Sequence, residues 1–404
     1  MAIGKGALPE FVPVPGVKIG VASAGIKVAG RKDLVVFEFA EGATTAGVFT
    51  QNQFCAAPVT VAKNHLAQCS PRYLLINTGN ANAGTGAQGI DDALACCAQV
   101  AATANVAKAA VLPFSTGVIG QPLPVDKLLF AIPACIENLT DNQWASAAEG
   151  IMTTDTRPKG ATRKVVINGQ VLSLSGISKG AGMICPNMAT MLAFVATDAK
   201  ISAQALDGML SRAATQSFNR ITVDGDTSTN DACIFTATGK TGNELVAGTS
   251  AFAEFERVFT ELMLELAQAI VKDAEGVTKF VEVTVAQSNS SETALKVAYA
   301  IGHSPLVKTA LFASDPNWGR ILAVVGRAGI DDLQIDKTNI YLGDVCIVSG
   351  GAVSPDYTEE RGQQAMLGDS LVIRIELGLG EISESIWTTD LSHDYVTINA
   401  EYRT

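Results

Sequence analysis

The chain is poor in the residues that most often carry metal, redox or nucleic-acid chemistry. It has only three histidines, His65, His303 and His393, far apart among 404 residues. A metal centre or a histidine-based triad would need long-range assembly, and neither a metal nor any other cofactor is expected. The eight cysteines, at 55, 69, 96, 97, 135, 185, 233 and 346, form no C-x-x-C pair. They read as free thiols of a reducing compartment. Lysine and arginine number 29 against 40 acidic residues, a net charge of −11, and no dense basic run occurs. Phosphate neutralisation holds most nucleic-acid binders in place, so no nucleic-acid partner is expected. The first residues lack a charged start followed by an apolar core, so no secretory signal is readable. Apolar runs such as that around residues 193–195 break within about ten residues, short of a membrane span. The expectation is a cytoplasmic protein with no membrane contact.

Core-forming material is plentiful, at 48% hydrophobic against 17% charged residues. A chain this long is expected to form two or three domains, with one large domain as the alternative. LVVFEF at residues 34–39 and YLLI at 73–76 read as strands. NTGNANAGTGAQG follows as a structural loop, since it holds neither GxGxxG nor GxxxxGK[ST]. The alanine-rich segment after it, with Cys96 and Cys97, reads as a buried helix. VLSL at 171–174 is strand-like and leads to a loop over 179–189, after which TMLAFVAT has the length of a core strand. Ser202 reads as a helix N-cap, with Leu206, Leu210 and Ala214 on one buried face. Phe255, Phe259, Leu262, Leu266 and Ile270 mark the core side of a helix over about residues 253–272. Gly276 ends it, and Val281, Val283 and Val285 alternate as a strand. A boundary near the polar stretch QSNSSET divides the chain into a larger unit, residues 1–285, and a smaller α+β unit, residues 286–404.

The most informative segment is KGAGMICPNMATMLAFVATDA. A threonine hydroxyl is a poor nucleophile at neutral pH. One remedy makes it the first residue of a chain, where its own α-amine serves as the nearby base. An internal threonine reaches that state only if the preceding peptide bond breaks. Attack of its hydroxyl on the preceding carbonyl, followed by ester hydrolysis, breaks that bond. A small residue before the threonine limits crowding, and Ala189–Thr190 meets both demands.

This segment resembles the KGxGMIxPNMATML junction of the arginine-biosynthetic ornithine acetyltransferases (glutamate N-acetyltransferases), which cleave themselves between Ala and Thr. The resemblance extends along nearly the whole chain, through GRKDLVVFEF, TTAGVFTQN, INTGNANAGTG, STGVIGQPLP, MTTDTRPK, DGDTSTND, DAEGVTK, SDPNWGRI and NAEYRT. Cys185 stands where a small residue such as alanine is expected. The resemblance implies an α+β fold with an αββα sandwich core, as in self-cleaving aminopeptidases, and a smaller C-terminal α+β domain. It implies processed chains 1–189 and 190–404 assembled as an α2β2 heterotetramer. The implied reaction is ping-pong transfer of acetyl from N-acetylornithine through Thr190 to glutamate. Acetyl-CoA is left open as a further donor. The rival within enzymes is a self-processing amidohydrolase or aminopeptidase that uses water as acceptor.

The remaining site residues follow from matching positions. Ser115-Thr116-Gly117 reads locally as a turn of small residues. The resemblance makes the Thr116 hydroxyl and Gly117 amide an oxyanion hole, whose donors typically each contribute about 100-fold or more in rate. Lys179, on the loop before the cleavage site, matches a substrate-contacting lysine. Glu275, where the helix dipole disfavours a carboxylate, matches a substrate contact for the cationic side of ornithine. Thr153 matches another, with Thr154 and Thr156 left as alternatives. Asn399 and Thr404 match the final substrate contacts, and residues 395–398 read as a strand that pins the tail. Asp224, Asp226, Asn230 and Asp231 lack the EF-hand spacing. They are assigned to turn structure or active-site support without a metal. Trp318 is expected to be structural, at a contact between domains.

Overall fold

The computed structural model describes residues 2–4, 6–185 and 191–401. In the larger unit the elements run β1 (Val17–Ala22), β2 (Leu34–Phe39), β3 (Thr44–Phe49), α1 (Ala57–Leu66), β4 (Tyr73–Asn80), α2 (Gly86–Ala104), β5 (Val111–Val118), α3 (Val125–Glu137) and α4 (Trp144–Gly150). They continue with β6 (Lys159–Ile167), β7 (Gln170–Lys179), β8 (Leu192–Lys200), α5 (Ala203–Gln216), β9 (Ala232–Glu244) and α6 (Ser250–Lys272). Two sheets result, one ordered β1-β2-β4-β5 and the other β3-β9-β8-β7-β6.

These strands are apolar on both faces because each sheet is covered twice. Successive side chains of a strand point to opposite sides. Accordingly Val35 and Phe37 join the core between the sheets, while Leu34 and Val36 face α2 and α3. Phe194 meets Phe37 and Phe114 across the inter-sheet core, with ring centroids 5.7 and 5.2 Å apart. Its neighbours Ala193 and Val195 face α5 and α6 instead. The layers are helix, sheet, sheet, helix: an αββα sandwich. Phe255, Phe259, Leu262, Leu266 and Ile270 are all buried along α6. The Ser202 hydroxyl accepts from the Ala205 amide and caps α5. Cys96 and Cys97 are buried in α2, and burial pushes the Cys96 thiol up to about 12.

The third sheet, β13-β12-β11-β14-β10-β15, is built from β10 (Phe280–Ser288), β11 (Asn339–Leu342), β12 (Val345–Ser349), β13 (Ala352–Val353), β14 (Ser370–Glu376) and β15 (Ile382–Thr389). It packs with α7 (Ser291–Gly302), α8 (Pro305–Phe312) and α9 (Trp318–Gly326) around a core of its own. β10 lies between β14 and β15, so the boundary expected after residue 285 falls inside this strand. Trp318 packs into this C-terminal core rather than at a contact between the units. Two further helices, α10 (Glu359–Ala365) and α11 (His393–Ala400), complete the described chain.

Residues 395–398, expected as a strand, lie inside α11. The Ser392 hydroxyl caps that helix by accepting from the Tyr395 amide, and an N-cap in this position commits the following backbone to a helical turn. Other boundaries shift for a related reason. β4 extends to Asn80 and β5 to Val118 because the two pair in parallel. The Ser115-Thr116-Gly117 segment is therefore strand, not turn. Lys179 is the last residue of β7, held in register with Leu192, and not part of the loop after it.

Candidate active site

β5 and β7 end, and β8 and β9 begin, at one edge of the sandwich. There they enclose a cavity of about 270 Å³ that α11 reaches from the C-terminal unit. Its wall includes Thr116, Gly117, Thr153, Lys179, Glu275 and Asn399. Six site residues expected from sequence are thus brought together. Met191, the residue after Thr190, also lines it. Ala189, Thr190 and Thr404 lie outside the described residues.

At Gly117 the backbone adopts a conformation that only glycine allows. Gly117 has φ +135, and a Cβ there would come within 2.3 Å of the Gly79 carbonyl carbon. The close β4–β5 approach at this point requires the missing side chain. Lys179 is buried, and its Nζ donates to Thr153 Oγ1 at 2.6 Å and to Thr116 Oγ1 at 3.3 Å. Because Thr116 accepts from Lys179, its own proton is free to point into the cavity. Burial lowers the Lys179 ammonium below an ordinary lysine. Asp155 opposes that shift, Lys159 adds to it, and Asp231 and Glu275 oppose it.

Lys179 pairs with Asp155, which belongs to a buried network with Lys159 and Asp273. Asp155 Oδ2 lies 3.8 Å from Lys179 Nζ and accepts the Thr153 amide at 2.9 Å. Asp155 Oδ1 accepts from Lys159 Nζ at 2.5 Å and from the Gly180 amide at 2.8 Å. Lys159 Nζ also donates to Asp273 Oδ2 at 2.7 Å. Burial alone would raise the Asp155 carboxyl, but the Lys159 and Lys179 ammoniums outweigh it and hold the group well below the usual carboxylate range. Thr153 and Thr154 both reach the cavity, whereas Thr156 bonds to Asp273 through its hydroxyl and its amide.

Also in the wall, Glu275 Oε2 accepts from Asn399 Nδ2 at 2.8 Å. A Cβ on Gly182 would stand 2.4 Å from that carboxylate oxygen, so this glycine makes room for the acid. The Glu275 amide donates to the Ala181 carbonyl at 3.0 Å, fixing the acid against the loop that leads toward residue 190.

The acidic loop before β9 is bonded to the segments that line the cavity. Asp224 accepts from the Met183 and Ile184 amides at 2.6 and 2.9 Å. Asn230 Nδ2 donates to the carbonyls of Ala81 and Ser115 at 2.6 and 2.9 Å, tying the loop to the end of β5. Among the described residues no group of three or more His, Cys, Asp or Glu is placed to hold a metal. Sequence reasoning missed Asp155, Lys159 and Asp273. Their only linear trace is an acid and a lysine four residues apart in MTTDTRPK, because Asp273 joins them only through folding.

The sequence model of the ArgJ family matches residues 18–404. The chain is 55% identical over 406 residues to the arginine biosynthesis bifunctional protein ArgJ of Pseudomonas fluorescens (strain Pf0-1), with the whole of both chains covered. It is 54% identical over 396 residues to the protein of the same name from Methylococcus capsulatus, covering 98% of this chain and 97% of that one. The chain belongs to the ArgJ family.

Two solved structures are also similar. The Bacillus halodurans arginine biosynthesis bifunctional protein argJ is 36% identical, with a TM-score of 0.49, covering 52% of this chain and 98% of its own. The Mycobacterium tuberculosis ornithine acetyltransferase complexed with ornithine is 33% identical, with a TM-score of 0.39, covering 44% of this chain and 94% of its own. In this ArgJ-family chain no helix among the described residues is long and apolar enough to cross a membrane.

Proposed function

We propose that this chain is an acyltransferase of arginine biosynthesis that moves an acetyl group from N-acetylornithine to glutamate, with Thr190 as the carrier. One observation carries the reading. A single cavity presents a buried ammonium, a carboxylate bonded to Asn399 and a hydroxyl–amide donor pair, and the residue following Thr190 lies in its wall.

The chemistry assigns each group a task. The Thr190 hydroxyl oxygen attacks the acetyl carbonyl of N-acetylornithine while the Thr116 hydroxyl and Gly117 amide donate to the developing oxyanion. The C–N bond breaks, the hydroxyl proton passes to the departing amine, and an acetyl ester remains. The amino group of glutamate then attacks the ester, the C–O bond breaks, and Thr190 regains its proton as N-acetylglutamate leaves. Lys179 with Thr153 binds a substrate carboxylate. Glu275 with Asn399 binds the distal ammonium of ornithine, and Thr404 completes the substrate contacts. Self-cleavage at Ala189–Thr190 frees the amine that serves as base, directly or through a water. The two chains then assemble as α2β2 in the cytoplasm. The relatives are named bifunctional, and acetyl-CoA is the second acetyl donor this reading assigns.

Incubation with N-acetylornithine, with and without glutamate, tests it. Sustained ornithine release should require glutamate and match N-acetylglutamate formed. Equal sustained release without glutamate would identify a hydrolase and refute the transferase.

A further inference from the structure

Among the described residues, two buried side-chain polar atoms lack a hydrogen-bond partner: Trp144 Nε1 and Asp231 Oδ2. Trp144 belongs to the core between the sheets. Asp231 is different: it lines the cavity beside Lys179 and is 3% exposed.

Its backbone is clamped. The Asp231 carbonyl accepts from the Thr50 amide at 2.9 Å, and the next amide, of Ala232, donates to the Met191 carbonyl at 2.9 Å. The preceding Asn230 is pinned to the end of β5. Asp231 therefore stands alongside the residue after Thr190 and next to the strand end that bears Thr116. The Ser228 hydroxyl engages the carboxyl, but Oδ2 has no partner. A rigid, buried carboxyl with one open oxygen in the wall of a cavity is suited to exchanging a proton with whatever binds there.

The other acids nearby are engaged. Both Asp155 oxygens accept hydrogen bonds, and Glu275 accepts from Asn399. Resting on the acetyl-transfer reading above, we propose that Asp231 is the proton carrier between the two amino groups of the reaction.

The balance closes over one turnover. In the first half, the departing ornithine nitrogen receives the Thr190 hydroxyl proton and becomes an amine. Protonated Asp231 then gives it a second proton, so it leaves as an ammonium and Asp231 becomes a carboxylate. In the second half, glutamate arrives as an ammonium and gives one proton to Asp231. The resulting amine attacks the acetyl ester, and its remaining transferred proton goes to the Thr190 oxygen. Enzyme and proton count return to the start. The resting protonation this requires agrees with the environment: burial raises the Asp231 carboxyl well above its ordinary range, against the Ser228 hydroxyl and the Lys179 ammonium. The charged groups around it are Lys179 at the end of β7 and Glu275 beyond α6. Lys63 of α1 is bonded to the Thr50 carbonyl.

Donors with different leaving groups test the assignment. Acetylation of the wild-type enzyme by N-acetylornithine needs a protonated leaving amine, and acetylation by p-nitrophenyl acetate does not. Between the two pH profiles, only the first should carry a limb that falls as Asp231 loses its proton. Asp231→Asn should lose on the order of 100-fold or more in rate with N-acetylornithine relative to p-nitrophenyl acetate, with the limb abolished. Should that variant stay uncut, Asp231→Glu should shift the limb. Identical wild-type profiles for both donors, or equal losses with both donors in Asp231→Asn, would overturn the proposal. Absence of acetyl transfer from N-acetylornithine in the wild type would instead overturn the parent reading.

Discussion

Asn399 donates through Nδ2 to Glu275 Oε2 at 2.8 Å across a sequence separation of 124 residues. The bond joins α11 of the C-terminal unit to the wall of a cavity built by the sandwich. Asn399→Ala would leave the carboxylate without this donor. A hydrogen bond to a charged group contributes roughly 1.5–3 kcal/mol, so KM for N-acetylornithine should rise about tenfold or more. Turnover should change less, because the bond lies away from the oxyanion donors. Steady-state kinetics on the processed enzyme would read the split, and a loss confined to kcat would place Asn399 elsewhere in the mechanism.

The Asp155–Lys159–Asp273 network is closed and buried. Removing one partner of a buried ion pair costs about 3–5 kcal/mol because the other charge is left uncompensated. Asp155→Asn should lose stability of that order in urea unfolding at pH 7. The Asp155 carboxyl is held low in the folded state, so its contribution is full above the unfolded carboxylate range and fades as the pH falls below it. The gap between wild type and variant should therefore narrow under acid. A constant gap down to pH 2 would exclude this origin.

Gly117→Ala places a methyl 2.3 Å from backbone on β4 at φ +135. Residues forced into such conformations cost on the order of 1–3 kcal/mol, and backbone cannot step aside as a flexible side chain can. The expected result is a folded but less stable protein whose turnover falls about 100-fold or more, as one oxyanion donor is displaced. Unchanged kcat would remove Gly117 from that role.

Lys308 is buried in α8, with Nζ donating to Thr388 Oγ1 at 3.2 Å and to the Thr389 hydroxyl at 3.1 Å. Burial lowers its pKa from 10.5 to about 8, against the attraction of Asp390 and Asp224. Between these two values the unfolded chain binds the proton and the folded chain does not, so this group's contribution to stability rises with pH. The comparison with Lys308→Met isolates the effect. The wild type should gain Tm relative to Lys308→Met from pH 8 to 10. A gap that stays flat would show that Lys308 does not titrate in this window.

The linear sequence determined what local rules and apolar periodicity can fix. It located α6 by its phenylalanine and leucine spacing, the α5 cap at Ser202, and the threonine whose neighbours suit self-cleavage. Motifs spread along the chain also marked six residues that prove to share one cavity. Tertiary structure decided the rest because those features depend on partners distant in sequence. Thr116 and Gly117 lie in a strand because β4 pairs beside them, and Lys179 ends a strand because β8 holds its register. Residues 395–398 are helical because Ser392 caps them, and their alternating apolar side chains suggested a strand only in isolation. The burial of Asp155 and the unpaired oxygen of Asp231 depend on which groups surround them in space. A carboxylate's chemistry follows its solvation and its neighbouring charges, and neither is written in the order of residues along the chain.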